Sequence, residues 1–184
     1  VFDADENLGL ERYQIPVHWP QRVLEEIAGI AAGAAAPTGS SGARQDLTHL
    51  RIVSIDDALT RDIDDAISFE EENGCLKLGI HITDAASFIT PESILDREAL
   101  KRATSIYLPE GKIPMLPPAL SEELLSLKAG EQRPALSFLV RLSPAGDIID
   151  FEITPSVIRV AKKMTYDEVD AEITHDALFS TLYR

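Results

Sequence analysis

Residues 51–82 read RIVSIDDALTRDIDDAISFEEENGCLKLGIHI. Arg51–Ile55 and Ala66–Phe69 are β-rich and alternate, and Asn73-Gly74 signals a tight hairpin turn into Cys75–Ile82. In this last run Leu76, Leu78, Ile80 and Ile82 share one face, while Lys77, Gly79 and His81 share the other. The stretch predicts strands near 51–55, 65–70 and 75–82, with an acidic loop between the first two.

Five aspartates fall within residues 56–65, and four of them, Asp56, Asp62, Asp64 and Asp65, carry the main functional signal. Like charges 4 Å apart repel by about 1 kcal/mol per pair in water and about 4 kcal/mol at a partly buried site. Arg61 alone cannot balance them, whereas the hard divalent cations Mg²⁺ or Mn²⁺ seek such oxygens. A loop held at both ends by strands can converge these four positions on one point, which a single helix face with this spacing cannot. The plain alternative is a solvated acidic loop. An EF-hand counted from Asp62 fails, because positions 5, 6 and 12 hold Ala66, Ile67 and Asn73. Asp62-Ile63-Asp64 also forms a DxD of the kind that holds a nucleotide-sugar metal, but nothing else in the chain supports that use.

The string SIDDALTRDIDDAI (54–67) resembles the active-site signature of the ribonuclease II/ribonuclease R (RNB) family of exoribonucleases, with the bacterial ribonuclease II members as its nearest branch. Asp56 matches the first acidic position, Asp62 the second, and Asp64 and Asp65 the terminal pair. Asp57 stands where Pro, Gly or Ser is usual, and Thr60 where Ala is usual. The likeness continues in order through Ile15–Gly29, Gly79–Asp84, Leu95–Leu127 and Met164–Val169. The resemblance implies a 3′ to 5′ exoribonuclease that releases nucleoside 5′-monophosphates from single-stranded RNA. It also implies a two-metal mechanism using Mg²⁺, with Mn²⁺ as a substitute. Asp56, Asp62, Asp64 and Asp65 would all be catalytic metal-binding carboxylates, Asp64 the most sensitive because it helps hold the second ion and the attacking water. By the same resemblance Tyr107 stacks on bases near the RNA 3′ end, and Tyr166 helps clamp that end and set the size of the last product. The alternative function is a catalytically silent RNB-like module that binds RNA or serves as an acidic interaction surface.

The expected fold is α+β, an RNB-type core with a twisted mixed or antiparallel sheet surrounded by helices. Further strands are predicted near 135–142 and 147–160, joined by a turn at Ser143–Gly146. Helices are predicted near 20–34, 95–105, 121–127 and 166–173. Residues 1–46 read as an N-terminal helix with a flexible linker, and 47–184 as the N-terminal half of an RNB catalytic domain whose remainder and flanking β-barrels lie elsewhere in a longer enzyme.

The rest of the chain narrows the setting. At 184 residues and 45% hydrophobic it can bury a core. No apolar run suggests a membrane span, and the lone Cys75 suits a reducing cytoplasm, where a monomer is expected. The net charge of −14 opposes the basic footprint of a nucleic-acid binder. The resemblance answers this by placing the family's basic surface outside this stretch and the substrate's charge on metal ions. His18, His49 and His175 lack zinc-ligand spacing, and His81 reads as a packing residue. Thr165 and Glu168 make a capping box, and Lys162-Lys163 read as a solvated face.

Overall fold

The computed structural model describes residues 8–33, 43–72, 74–109, 111–176, 179 and 180. Most of the linker expected before residue 43, and Asn73 of the expected turn, lie outside the described residues. The elements run α1 (Leu8–Arg12), α2 (Gln21–Ala31), β1 (Gln45–Asp46), β2 (Ile52–Ile55), β3 (Asp65–Glu72), β4 (Cys75–Thr83), α3 (Ile94–Arg102), β5 (Ile106–Leu108), β6 (Gly111–Ile113), a π-helical turn (Ala119–Leu124), β7 (Gln132–Leu142), β8 (Ile148–Met164) and α4 (Tyr166–Glu172). Two compact units result, residues 1–39 with 86–124 and residues 40–85 with 125–184.

In the second unit β2, β3, β4, β7 and β8 are neighbours in that order, each pair antiparallel. The other edge of β8 pairs parallel with β1 and β2. The pairing circuit closes, so the expected mixed sheet is a small barrel in which the strands protect one another's edges. A barrel of so few strands has little room inside. Small residues line it accordingly: Ala66, Ser68, Gly79, Ala135, Ser137 and Ser156 surround His81, with Leu139 and Ile158 among them. The Gly79–His81 face of β4 thus points inward. The Leu78–Ile80 face lies outside, where Val53, Met164 and Phe179 pack with Ile55, Ile67, Phe69, Val169 and Ile173.

Inside the barrel a hydrogen-bonded chain satisfies the polar groups. Ser68 Oγ meets His81 Nε2 at 3.0 Å, His81 Nδ1 meets Ser137 Oγ at 2.7 Å, and Ser137 Oγ meets Ser156 Oγ at 2.6 Å. His81 is fully buried, and burial lowers its pKa from 6.5 to about 4. The unfolded chain therefore takes up a proton below pH 6.5 that the folded imidazole refuses until about pH 4. The His81 contribution to stability is fully present above pH 6.5 and falls by about 3 kcal/mol as the pH drops through this window. Chemical denaturation of wild type and His81→Gln between pH 7 and pH 4 should show a steeper loss in the wild type, and parallel curves would contradict the neutral-histidine assignment.

In the first unit α2 buries Val23, Ile27 and Ile30, one stripe at helical spacing. Glu26 Oε2 accepts from Leu95 N at 3.1 Å, and Ser93 caps α3 through Asp96 N. Arg102 ties α3 to the segment before α2. It donates to Pro16 O at 2.8 Å and His18 O at 2.7 Å, pairs with Glu98, and lies 3.5 Å from the Trp19 ring centroid. The helix expected at 121–127 is instead the π-helical turn at 119–124, opened after Pro117 and Pro118. Its expected last turn is not helical: Leu127 N donates to Ile63 O at 2.9 Å instead of continuing the helix. The short elements α1, β1, β5 and β6 carry no sequence signal strong enough to announce them.

Candidate metal centre and RNA-contact residues

The acidic loop runs from the end of β2 to the start of β3, and its main chain is held at close intervals. Asp56 N donates to Met164 O at 3.0 Å, and Thr83 N donates to Asp64 O at 2.8 Å, extending the β3–β4 ladder by one step. Asp57 closes a local turn, its Oδ1 accepting from Leu59 N at 3.0 Å. Ile63 is buried in the barrel core with Leu127, Leu139 and Ile158. This anchor fixes the main chain between Asp62 and Asp64. Asp64 and Asp65 are exposed, while Asp56 and Asp62 are half-buried.

Burial first, and then the charge of Asp65, push the Asp56 carboxyl above the ordinary aspartate range; Lys163 pulls the other way and Asp62 adds to the rise. Asp56 therefore feels the charge of two other signature carboxylates, Asp65 and Asp62. Their oxygens and mutual repulsion suit a hard divalent cation. Among the described residues no three His, Cys, Asp or Glu side chains stand close enough to grip one ion. The fit thus rests on donor type and charge rather than on a closed ligand shell.

Two loop partners had no distinguishing sequence signal. Lys163, expected on a solvated face, donates from Nζ to Thr60 O at 2.6 Å and Ala58 O at 3.3 Å. Lys162 does stay at the surface, 3.2 Å from Glu168. Buried Ser126 donates to Arg61 O at 2.7 Å and accepts from Ile63 N at 3.2 Å. Ser54 Oγ, opposite Lys163 in the β2–β8 register, is buried with no hydrogen-bond partner among the described residues.

Both tyrosines singled out are solvent-facing, Tyr107 at 73% and Tyr166 at 61% exposure. Tyr107 lies on the β5–β6 hairpin opposite Lys112, whose ammonium is 5.3 Å from the ring centroid. Tyr166 opens α4 directly after the N-cap Thr165, whose capping box Glu168 completes. Neither ring is consumed by core packing, although Lys112 lies over the Tyr107 ring.

A carboxylate-rich loop on the rim of a small closed barrel, in a chain that also exposes the Tyr107 and Tyr166 rings, defines an α+β protein with a candidate cation site. Residues 44–179 match the RNB domain, and the chain belongs to that family. It is 42% identical over 159 residues to ribonuclease R of Chlamydia muridarum (strain MoPn / Nigg), an alignment covering 86% of this chain and 23% of the relative. The fold is similar to Mycoplasma genitalium RNase R in complex with ribose methylated single-stranded RNA, with a TM-score of 0.79 and 25% identity over 95% of this chain and 27% of that one. It is also similar to yeast Ssd1, a pseudonuclease, with a TM-score of 0.69 and 26% identity over 76% of this chain and 18% of that one. The chain spans about a quarter of the length of the curated ribonuclease R relative.

Proposed function

We propose that this chain carries the acidic half of the active site of a metal-dependent 3′ to 5′ exoribonuclease, which releases nucleoside 5′-monophosphates from single-stranded RNA. The observation that carries the reading is the family's four carboxylates on one anchored loop, with Asp56 raised first by burial and then by its acidic neighbours. Asp56, Asp62 and Asp65 would hold divalent ions, Mg²⁺ first and Mn²⁺ as a substitute, with Asp64 beside the attacking water. The chemistry the ions supply when bound is activation of that water and stabilisation of the leaving 3′ oxygen. The chain's own contribution is to hold the carboxylates on a fixed main chain and to offer aromatic faces to unpaired bases. A monomer in the cytoplasm is the setting proposed, consistent with a single free Cys75 and with no described helix long and apolar enough to cross a membrane.

A silent module is the second reading, favoured by the likeness to a pseudonuclease and by the net charge of −14. Titrating Mg²⁺ and Mn²⁺ against 5′-labelled single-stranded RNA separates the two. Stepwise shortening from the 3′ end with release of 5′-monophosphates supports the nuclease, whereas binding without shortening at every ion concentration supports the silent module.

The tyrosines give a second measurement. Loss of one stacking platform costs roughly 1–3 kcal/mol per base, so Tyr107→Ala should weaken short oligonucleotides by roughly 5- to 150-fold and long ones less. Tyr166→Ala should change the length of the shortest RNA left over. Identical affinities and product ladders for both variants and wild type would remove the clamp roles.

A further inference from the structure

We infer that Lys163 and Ser126 are positioning residues of the acidic loop, gripping its main chain from two sides so that Asp56, Asp62, Asp64 and Asp65 stay at one rim of the barrel. The inference rests on the proposed nuclease reading for its effect on turnover, and on hydrogen-bond geometry alone for its effect on the loop.

Residues 57–63 belong to neither helix nor strand, so no regular ladder fixes them. Two side chains replace that ladder in the middle of the loop. Lys163 reaches the carbonyls of Ala58 and Thr60, while the single hydroxyl of Ser126 donates to Arg61 O and accepts from Ile63 N. Together they secure the main chain on both sides of Asp62. Ile63 is then locked further by Leu127 N and by the core.

An independent feature aims Lys163 at this place. The parallel β2–β8 register is Ile52↔Val160 and then Val53↔Lys162, so Ala161 is an extra residue on β8. Side chains alternate along a strand, and one inserted residue reverses which of them face inward. Past this bulge Lys163 pairs with Ser54 and shares the side of Ile52 and Val160. Without the extra residue Lys162 would take that side and Lys163 would point to the opposite one. The irregularity exchanges the roles of two adjacent lysines, and the one turned toward the loop is the one that binds it.

The test compares Lys163→Met, Lys163→Arg, Ser126→Ala and Ser126→Thr with wild type, each in the intact enzyme that carries this chain, below the melting point of every variant. A misplacement of about 1 Å in a catalytic group can cost on the order of 100-fold in rate. Lys163→Met and Ser126→Ala should each lower kcat by roughly 10- to 100-fold, with RNA affinity within about threefold of wild type. The arginine and threonine variants keep the donors and should recover most of kcat. Amide hydrogen exchange across residues 57–64 should rise in Lys163→Met and Ser126→Ala while exchange in β4 stays at the wild-type level. Unchanged loop exchange in both variants overturns the inference, as does a Lys163→Arg enzyme that folds but turns over no faster than Lys163→Met. If the wild type hydrolyses no RNA, the proposed function falls, and the exchange measurement still decides the clamp.

Discussion

Asp64→Asn should abolish RNA hydrolysis while leaving RNA affinity within about threefold of wild type. The substitution is nearly isosteric, and the Asp64 side chain is exposed, so little packing is disturbed. Its main-chain carbonyl still accepts from Thr83 N at 2.8 Å, which keeps the start of β3 in register with the end of β4. What changes is one negative charge at a site proposed to order the attacking water and a divalent ion. Such groups stabilise the transition state by several kcal/mol, so turnover should fall by roughly a thousandfold or more. Ground-state binding moves the other way or not at all, because removing an anion next to a polyanionic substrate lowers repulsion. Single-turnover release of mononucleotides together with filter binding measures both. A rate near wild type would remove Asp64 from the chemistry, and a matching collapse of affinity would make it a binding residue instead.

Much of this arrangement is legible in the sequence because local rules govern it. The five longer strands follow from alternation and turn signals, and α4 starts at the capping box that Thr165 and Glu168 announce. The four aspartates stand out because charge density needs a physical explanation wherever it occurs. Closure of the sheet is different, since it depends on β8 pairing with β7 on one edge and with β2, more than a hundred residues earlier, on the other. No periodicity encodes such a partner. The inward side of β4 is equally hidden: the apolar Leu78 and Ile80 face outward because the narrow interior takes Gly79 and the hydrogen-bonded His81 from this strand. Lys163 escaped for the same reason. A two-lysine run looks like solvated surface until a bulge at Ala161 assigns the second lysine to the loop.

Gly79→Ala should be the most damaging single-methyl change in the barrel. A Cβ built on Gly79 would lie 2.3 Å from Ser68 Oγ and 2.7 Å from His81 Nε2. Glycine is required there by close approach, since carbon cannot sit so near either atom. Neither neighbour is free to retreat: Ser68 and His81 hydrogen-bond each other at 3.0 Å, and His81 is held from behind by Ser137 at 2.7 Å. Admitting the methyl group means turning Ser68 away and leaving a buried imidazole nitrogen unsatisfied, at about 1–3 kcal/mol. Overpacking adds about 1–3 kcal/mol. The sum of roughly 2–6 kcal/mol corresponds to a fall in Tm of roughly 4–24 °C for a chain of this size. The paired variant Gly79→Ala with Ser68→Ala removes the closest clash partner and should lose less than the sum of the two single changes, because the residues share one contact. The consequence reaches the proposed site through register, since Ser68 and Gly79 are opposite each other in the ladder that ends at Asp65 and Ile82. Loosening that pair should therefore lower RNA turnover at temperatures below the new melting point. A Gly79→Ala protein melting within about 2 °C of wild type would show that the interior has room for a methyl group and that the hydrogen-bonded chain around His81 does not fix the barrel.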